Sequence, residues 1–167
     1  MAPTDTIVPN PRTCPSSGCE NYYVTPKGYA MKAFDLGSHG YVEPIKISNP
    51  NGINLTTYAV GDAQNIYVTI INKTHSSTND SIDAKIRILP EGFAPNRVAY
   101  MVLMDGSLGN ASLLTASLGG ATIINNSPWM GQWTSLNQPR NGNIVLTVKA
   151  ATAVIVRIQA AAHDSEK

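Results

Sequence analysis

The stretch Asn54–Lys73, NLTTYAVGDAQNIYVTIINK, decides the fold. It reads as two strands joined by a tight polar turn. On the first arm Leu55, Thr57 and Ala59 share one face, and Thr56, Tyr58 and Val60 share the other. On the second arm Ile66, Val68 and Ile70 alternate with Tyr67, Thr69 and Ile71. Successive side chains of a strand point to opposite faces, so each arm can bury one, and both are rich in β-branched and aromatic residues. Between them Gly61-Asp62-Ala63-Gln64-Asn65 supplies a Gly, an Asp and an Asn for turn conformations. Asn72-Lys73 closes the second arm in polar residues. The hairpin carries no evident chemistry.

Outward from this hairpin the rest of the chain also reads as strand. Tyr41–Ile47 precedes it, interrupted by Pro44 and therefore an edge. Residues 74–81, THSSTNDS, form a polar loop. In the next strand Ile82, Ala84, Ile86 and Ile88 alternate with Asp83, Lys85, Arg87 and Leu89. Val98–Met104 is nearly all apolar and is expected to be central and covered on both sides. Residues 106–118 read as loop, Ala121–Ile124 as a short strand, and 127–142 as a long loop holding both tryptophans. Asn143–Lys149 and Ala153–Gln159 close the chain, with Ile144, Leu146, Val148, Val154, Val156 and Ile158 facing inward. Ahead of all this, residues 1–25 form a Pro-rich arm in which Tyr22–Val24 can pair as an edge strand. Residues 27–36 form the one good helix, with Thr25-Pro26 as cap and first residue and Gly37 as its stop. The spacing predicts an all-β domain over 26–159. It is a two-sheet antiparallel β-sandwich or jelly roll of about eight strands with one short N-terminal helix, followed by a polar tail at 160–167.

The totals exclude several classes. The 167 residues suit one domain with a real core. Charged residues are only 14%, which argues against a helical bundle and suits a secreted-type β domain. A net charge of +1 leaves no electrostatic footprint for nucleic acid. No apolar run approaches the ~20 residues that span a bilayer. The start, MAPTDTIVPNPRT, lacks the basic and apolar regions of a signal peptide. Cys14 and Cys19, in CPSSGC, are expected to close a small disulfide loop, with two free thiols as the alternative, and no His beside them suggests a metal. Sequons begin at Asn54, Asn72, Asn79, Asn110 and Asn125, the last compromised by Pro128. They make the first four glycosylation candidates and point to an extracellular setting.

Four segments, in order, carry a family resemblance. They are VTPKGYAMKAFDLGSHG (24–40), the hairpin arms ending in Asn72-Lys73, LGGATI (118–123) with GQW (131–133), and LTVKAATAVIVRI (146–158). This order resembles the C-terminal β-sandwich that stands beside the catalytic barrel in family 79 glycoside hydrolases and related clan members, over about residues 24–159. The resemblance implies a sandwich entered from the last barrel helix, with a catalytic barrel as partner. It also implies that the acid/base and nucleophile glutamates lie in that barrel, which has no counterpart here. The Cys14–Cys19 arm has no counterpart in the family either.

The residues themselves show little chemistry. Glycoside hydrolysis needs two carboxyls about 5 to 10 Å apart, and the 11 acidic residues are scattered over turns, outer strand faces and tails. His39, His75 and His163 share no metal-ligand spacing. There is no G-x-S-x-G and no phosphate-cradling loop, and no cofactor is implied. A ligand surface is legible at Trp129-Met130-Gly131-Gln132-Trp133 with Asn137, Gln138 and Arg140. Aromatic rings stack the apolar faces of sugars, and Gln132, Asn137 and Arg140 can bond hydroxyls. Against this, Trp133 can simply plug the sandwich edge. The expected function is a non-catalytic carbohydrate-associated domain that holds a polysaccharide or supports a barrel. The alternatives are an extracellular structural or adhesive module acting by self-association or protein partners, and a small enzyme whose site is not legible.

Overall fold

The two arms of the 54–73 stretch form a hairpin inside the larger of two packed sheets. The computed structural model describes residues 7–9, 22–74, 82–104, 106–107, 110–111, 116–124, 127–137 and 142–160. In chain order the elements are β1 (Ile7–Pro9), β2 (Tyr22–Val24), α1 (Pro26–Gly37), β3 (Tyr41–Glu43), β4 (Leu55–Gly61), β5 (Asn65–Asn72) and β6 (Ala84–Ile88). They continue with β7 (Pro95–Met104), β8 (Gly106–Ser107), β9 (Asn110–Ala111), β10 (Ser117–Leu118), β11 (Thr134–Ser135), β12 (Ile144–Val148) and β13 (Thr152–Ala160).

The large sheet runs β10-β7-β13-β5-β4-β3, with β11 also paired to β7, and its pairs are antiparallel. β12 and β6 form a separate antiparallel ribbon. β1 pairs with β2, so Tyr22–Val24 finds its partner in the N-terminal arm.

Alternation sorts the core as the sequence predicts. Ala59, Val68, Ile70, Val98, Val154, Val156 and Ile158 of the large sheet face Ile144, Leu146 and Val148 of the ribbon. Several of these are fully buried, each worth about 1.5–3 kcal/mol of apolar transfer. This is the interior of the sandwich. On the other face Met101 and Ile155 meet Tyr29 and Ala33 of α1, together with Ala116 and Leu118. The apolar runs in β7 and β13 are therefore covered on both sides, by the ribbon and by the helix.

Some local expectations change. Ala121–Ile124 forms no strand but a single bridge, Leu118↔Ala121. The 127–142 loop contains the short β11. Ile82 and Asp83 precede β6, and Ile82 is exposed. Gly37 does not stop α1 but ends it from within. A Cβ there would stand 3.0 Å from Ile155 Cγ2, so glycine lets the last turn approach the sheet. Pro44 ends β3 at Glu43, as expected for an edge strand.

Candidate functional site

Of the expected ligand residues, Trp129 and Trp133 lie on the helix-covered face, and the fold explains their positions. Tyr29 is 3% exposed, and its Oη accepts the backbone N–H of Ile123 at 2.7 Å. That bond ties the 119–133 segment to α1. Gly119 N–H donates to Val102 O at 3.0 Å, and Gln132 N–H donates to Gly119 O at 3.0 Å, which anchors the same segment to β7. Trp129 then folds over Gly131, where any Cβ would overlap the indole; only glycine permits this approach.

Both tryptophans pack partly buried against the second core. One face of each is taken by a cation. Lys32 Nζ lies 4.7 Å from the Trp129 ring centroid, and Arg157 Cζ lies 4.6 Å from that of Trp133. Such contacts are favourable by about 0.5–2 kcal/mol. The two indoles are thus engaged in the fold on those faces. Gln132 and Asn137 are exposed, and Arg140 lies outside the described residues. The Nε1 of Trp129 is buried without a hydrogen-bond partner.

Arg157 is the residue that sequence reasoning missed. Its signal is the one charge in the run Val154-Ile155-Val156-Arg157-Ile158. Alternation puts it opposite Val156 and Ile158, but which neighbours it meets depends on strand pairing. His39 is exposed, and its ring lies 5.5 Å from that of Tyr67.

The described carboxylates serve the backbone where their partners are seen. Asp62 Oδ1 accepts the N–H groups of Gln64 and Asn65, both at 2.7 Å, and closes the β4–β5 turn. Those two backbone bonds hold its pKa below the ordinary 3.8, with a smaller contribution from His39. Asp83 Oδ1 accepts Ala150 N–H at 3.0 Å. Among the described residues no group of three or more His, Cys, Asp or Glu could hold a metal.

The glycosylation candidates separate. Asn54 is exposed. Asn72 is 1% exposed, and its amide donates to Ile82 O and Val148 O. A glycan has no room there, which corrects the expectation for this sequon. Asn79, Cys14 and Cys19 lie outside the described residues. Asn110 lies in β9.

No protein-family model matches the sequence, and no curated protein matches it. Solved structures do match the fold. One is a family 30 glycoside hydrolase, an endoxylanase from Clostridium papyrosolvens C71. It shares 11% identity at a TM-score of 0.51, over 82% of this chain and 28% of that chain. A second is CelM2, a bifunctional glucanase-xylanase from a metagenome library, with 15% identity, a TM-score of 0.49, and coverage of 81% and 22%. The chain therefore spans less than a third of the length of these enzymes. Its β-sandwich fold is similar to part of the family 30 endoxylanase.

Proposed function

We propose that this chain is a non-catalytic, extracellular β-sandwich associated with carbohydrate processing. It is an accessory domain that supports a glycoside hydrolase barrel or holds a polysaccharide. The observation that carries the reading is the fold likeness itself, which takes in most of this chain and a minor part of a sugar-cleaving enzyme. The order of the 24–40, 54–73, 118–133 and 146–158 segments refines it to the family 79 type.

The two-sided helix supports a barrel partner. Tyr29 and Ala33 of α1 are buried on the sheet, whereas Met31 and Phe34 on its outer side are 59% and 62% exposed. Exposed apolar side chains on the outer side of a helix suit contact with a partner surface.

The test uses the purified chain. Affinity electrophoresis through gels containing polysaccharides is expected to show retardation; free migration in every gel removes the glycan-holding role. Chromogenic glycosides are expected to stay intact, and release of chromophore overturns the non-catalytic assignment.

One feature favours self-association as a second reading. The edge strand β3 presents Tyr41 and Val42 at 83% and 85% exposure, and an apolar edge is a template for pairing. Light scattering decides it. A dimer that Val42→Lys dissociates supports this reading, and a monomer at high concentration removes it.

A further inference from the structure

Strand β3 is an outer edge of the large sheet, and its backbone is only half engaged. Asp62 N–H donates to Asn65 O, and Lys73 N–H donates to Asn54 O. The β4–β5 register between these two bonds runs without a shift. Successive residues of an antiparallel strand turn their backbone groups to opposite neighbours. Residues 54, 56, 58, 60 and 62 therefore bond toward β5, whereas Ala59 and Gly61 bond toward β3. The register partners of those two are Glu43 and Tyr41. Val42, between them, directs both its N–H and its C=O away from β4. Among the described residues no second strand pairs with β3.

The side chains at this edge are apolar and open. Tyr41 and Val42 are the most exposed large hydrophobic residues of the strand, and Ile45 and Ile47 just beyond it are exposed too. Natural edges are commonly blunted by charge, by proline or by shortness. Pro44 and the three-residue length of β3 limit how far pairing can run, but they leave Val42 itself open.

We infer that a second copy of this chain pairs at this edge, β3 against β3, antiparallel about a two-fold axis through Val42. The two Val42 residues then exchange both hydrogen bonds, and the two large sheets join into one. The same symmetry sets Tyr41 opposite Glu43, Pro44 opposite Gly40 and Ile45 opposite His39, so no like charges face each other. A long foreign strand would meet Pro44, which has no N–H, at the next outward position. The two-fold pair needs its full exchange only at Val42. Because both copies use the same patch, the contact closes at two. The inference rests on the self-association reading and gives its strand register and axis.

The test is sedimentation velocity of the purified chain over a concentration series, with Val42→Thr and Val42→Pro, each checked for unchanged thermal unfolding. Val42→Thr keeps the branched shape and the outward N–H, and it is expected to dimerise as the parent does. Val42→Pro removes an N–H that β4 does not use. It is expected to dimerise at least about tenfold more weakly, because each dimer loses two bonds. A second measurement uses Tyr41→Cys and Glu43→Cys, each in a Cys14→Ser/Cys19→Ser background. Positions 41 and 43 of the two copies form a close, non-hydrogen-bonded pair with Cα atoms about 4.5 Å apart, within disulfide reach. A mixture of the two variants is expected to cross-link under air, and neither alone. If Val42→Pro does not fold, the cysteine pair decides. A monomer at high concentration overturns both this inference and the self-association reading. A dimer that a folded Val42→Pro leaves intact, or that fails to link 41 to 43, overturns this inference alone.

Discussion

The side-chain amide of Asn72 donates a hydrogen bond to the backbone carbonyl of Val148 at 3.1 Å, across 76 positions of sequence. The same nitrogen donates to Ile82 O at 2.9 Å, and Oδ1 accepts the N–H and Oγ1–H of Thr74 at 3.1 and 2.6 Å. One buried side chain thus fastens the end of β5 to β12 and to the segment that leads into β6. The expected outcome for Asn72→Ala is a loss of about 2–4 kcal/mol, because several backbone groups lose their partner at once. Urea unfolding measures it. Peptide mapping of folded chain secreted from a glycosylating host should find Asn72 unmodified.

Tyr29 is a second clasp, on the other face. Tyr29→Phe keeps the ring among Met101 and Ile155 and removes the oxygen that accepts Ile123 N–H. The expected loss is about 1–2 kcal/mol, set by the unmet backbone donor rather than by packing. Thermal unfolding gives the loss. Hydrogen exchange at Ile123 should accelerate more than exchange in β13.

The turn of the central hairpin sets a pH dependence. The Asp62 carboxylate is held below its ordinary 3.8 by the N–H groups of Gln64 and Asn65. A depressed folded-state pKa adds stability above the unfolded value, and that stability is lost as pH falls through the folded value. Stability of the parent is therefore expected to decline below about pH 4 partly through this group. Asp62→Ala should be less stable at neutral pH and should show a shallower acid limb. A series of melting temperatures from pH 7 to pH 2 checks both.

Ala151 has a φ of 52° in the turn between β12 and β13, where its N–H donates to Thr74 O at 2.9 Å. A left-handed backbone costs an L-residue about 1 kcal/mol that glycine avoids, less glycine's extra freedom when unfolded. Ala151→Gly is expected to be neutral or stabilising by up to about 0.5 kcal/mol. Ala151→Val should destabilise by about 1–2 kcal/mol, since β-branched residues tolerate positive φ poorly. Denaturant midpoints compare the two.

Much of the architecture was legible because strand alternation is a local property. The two faces of Asn54–Lys73, the doubly apolar run in β7 and the helix after Pro26 follow from period, proline placement and side-chain type. The Trp129–Trp133 segment was legible as a place where aromatic and polar residues gather. That its rings are half-buried under Lys32 and Arg157 was not, because ring exposure depends on what α1 and β13 bring beside them. Asn72 shows the same divide. By sequence it is a polar strand end inside a sequon. By structure it is a buried amide facing carbonyls supplied by β12 and by the segment before β6.

The sequence by itself determined which residues pair off into inward and outward rows, and hence a sandwich with one helix. Tertiary structure alone decided which rows lie side by side. The order β7-β13-β5 joins Tyr67, Arg157 and Ala99 from segments distant in the chain. Each strand's alternation is set by its own backbone, whereas a surface shared between strands is set by long-range register, which no single segment contains.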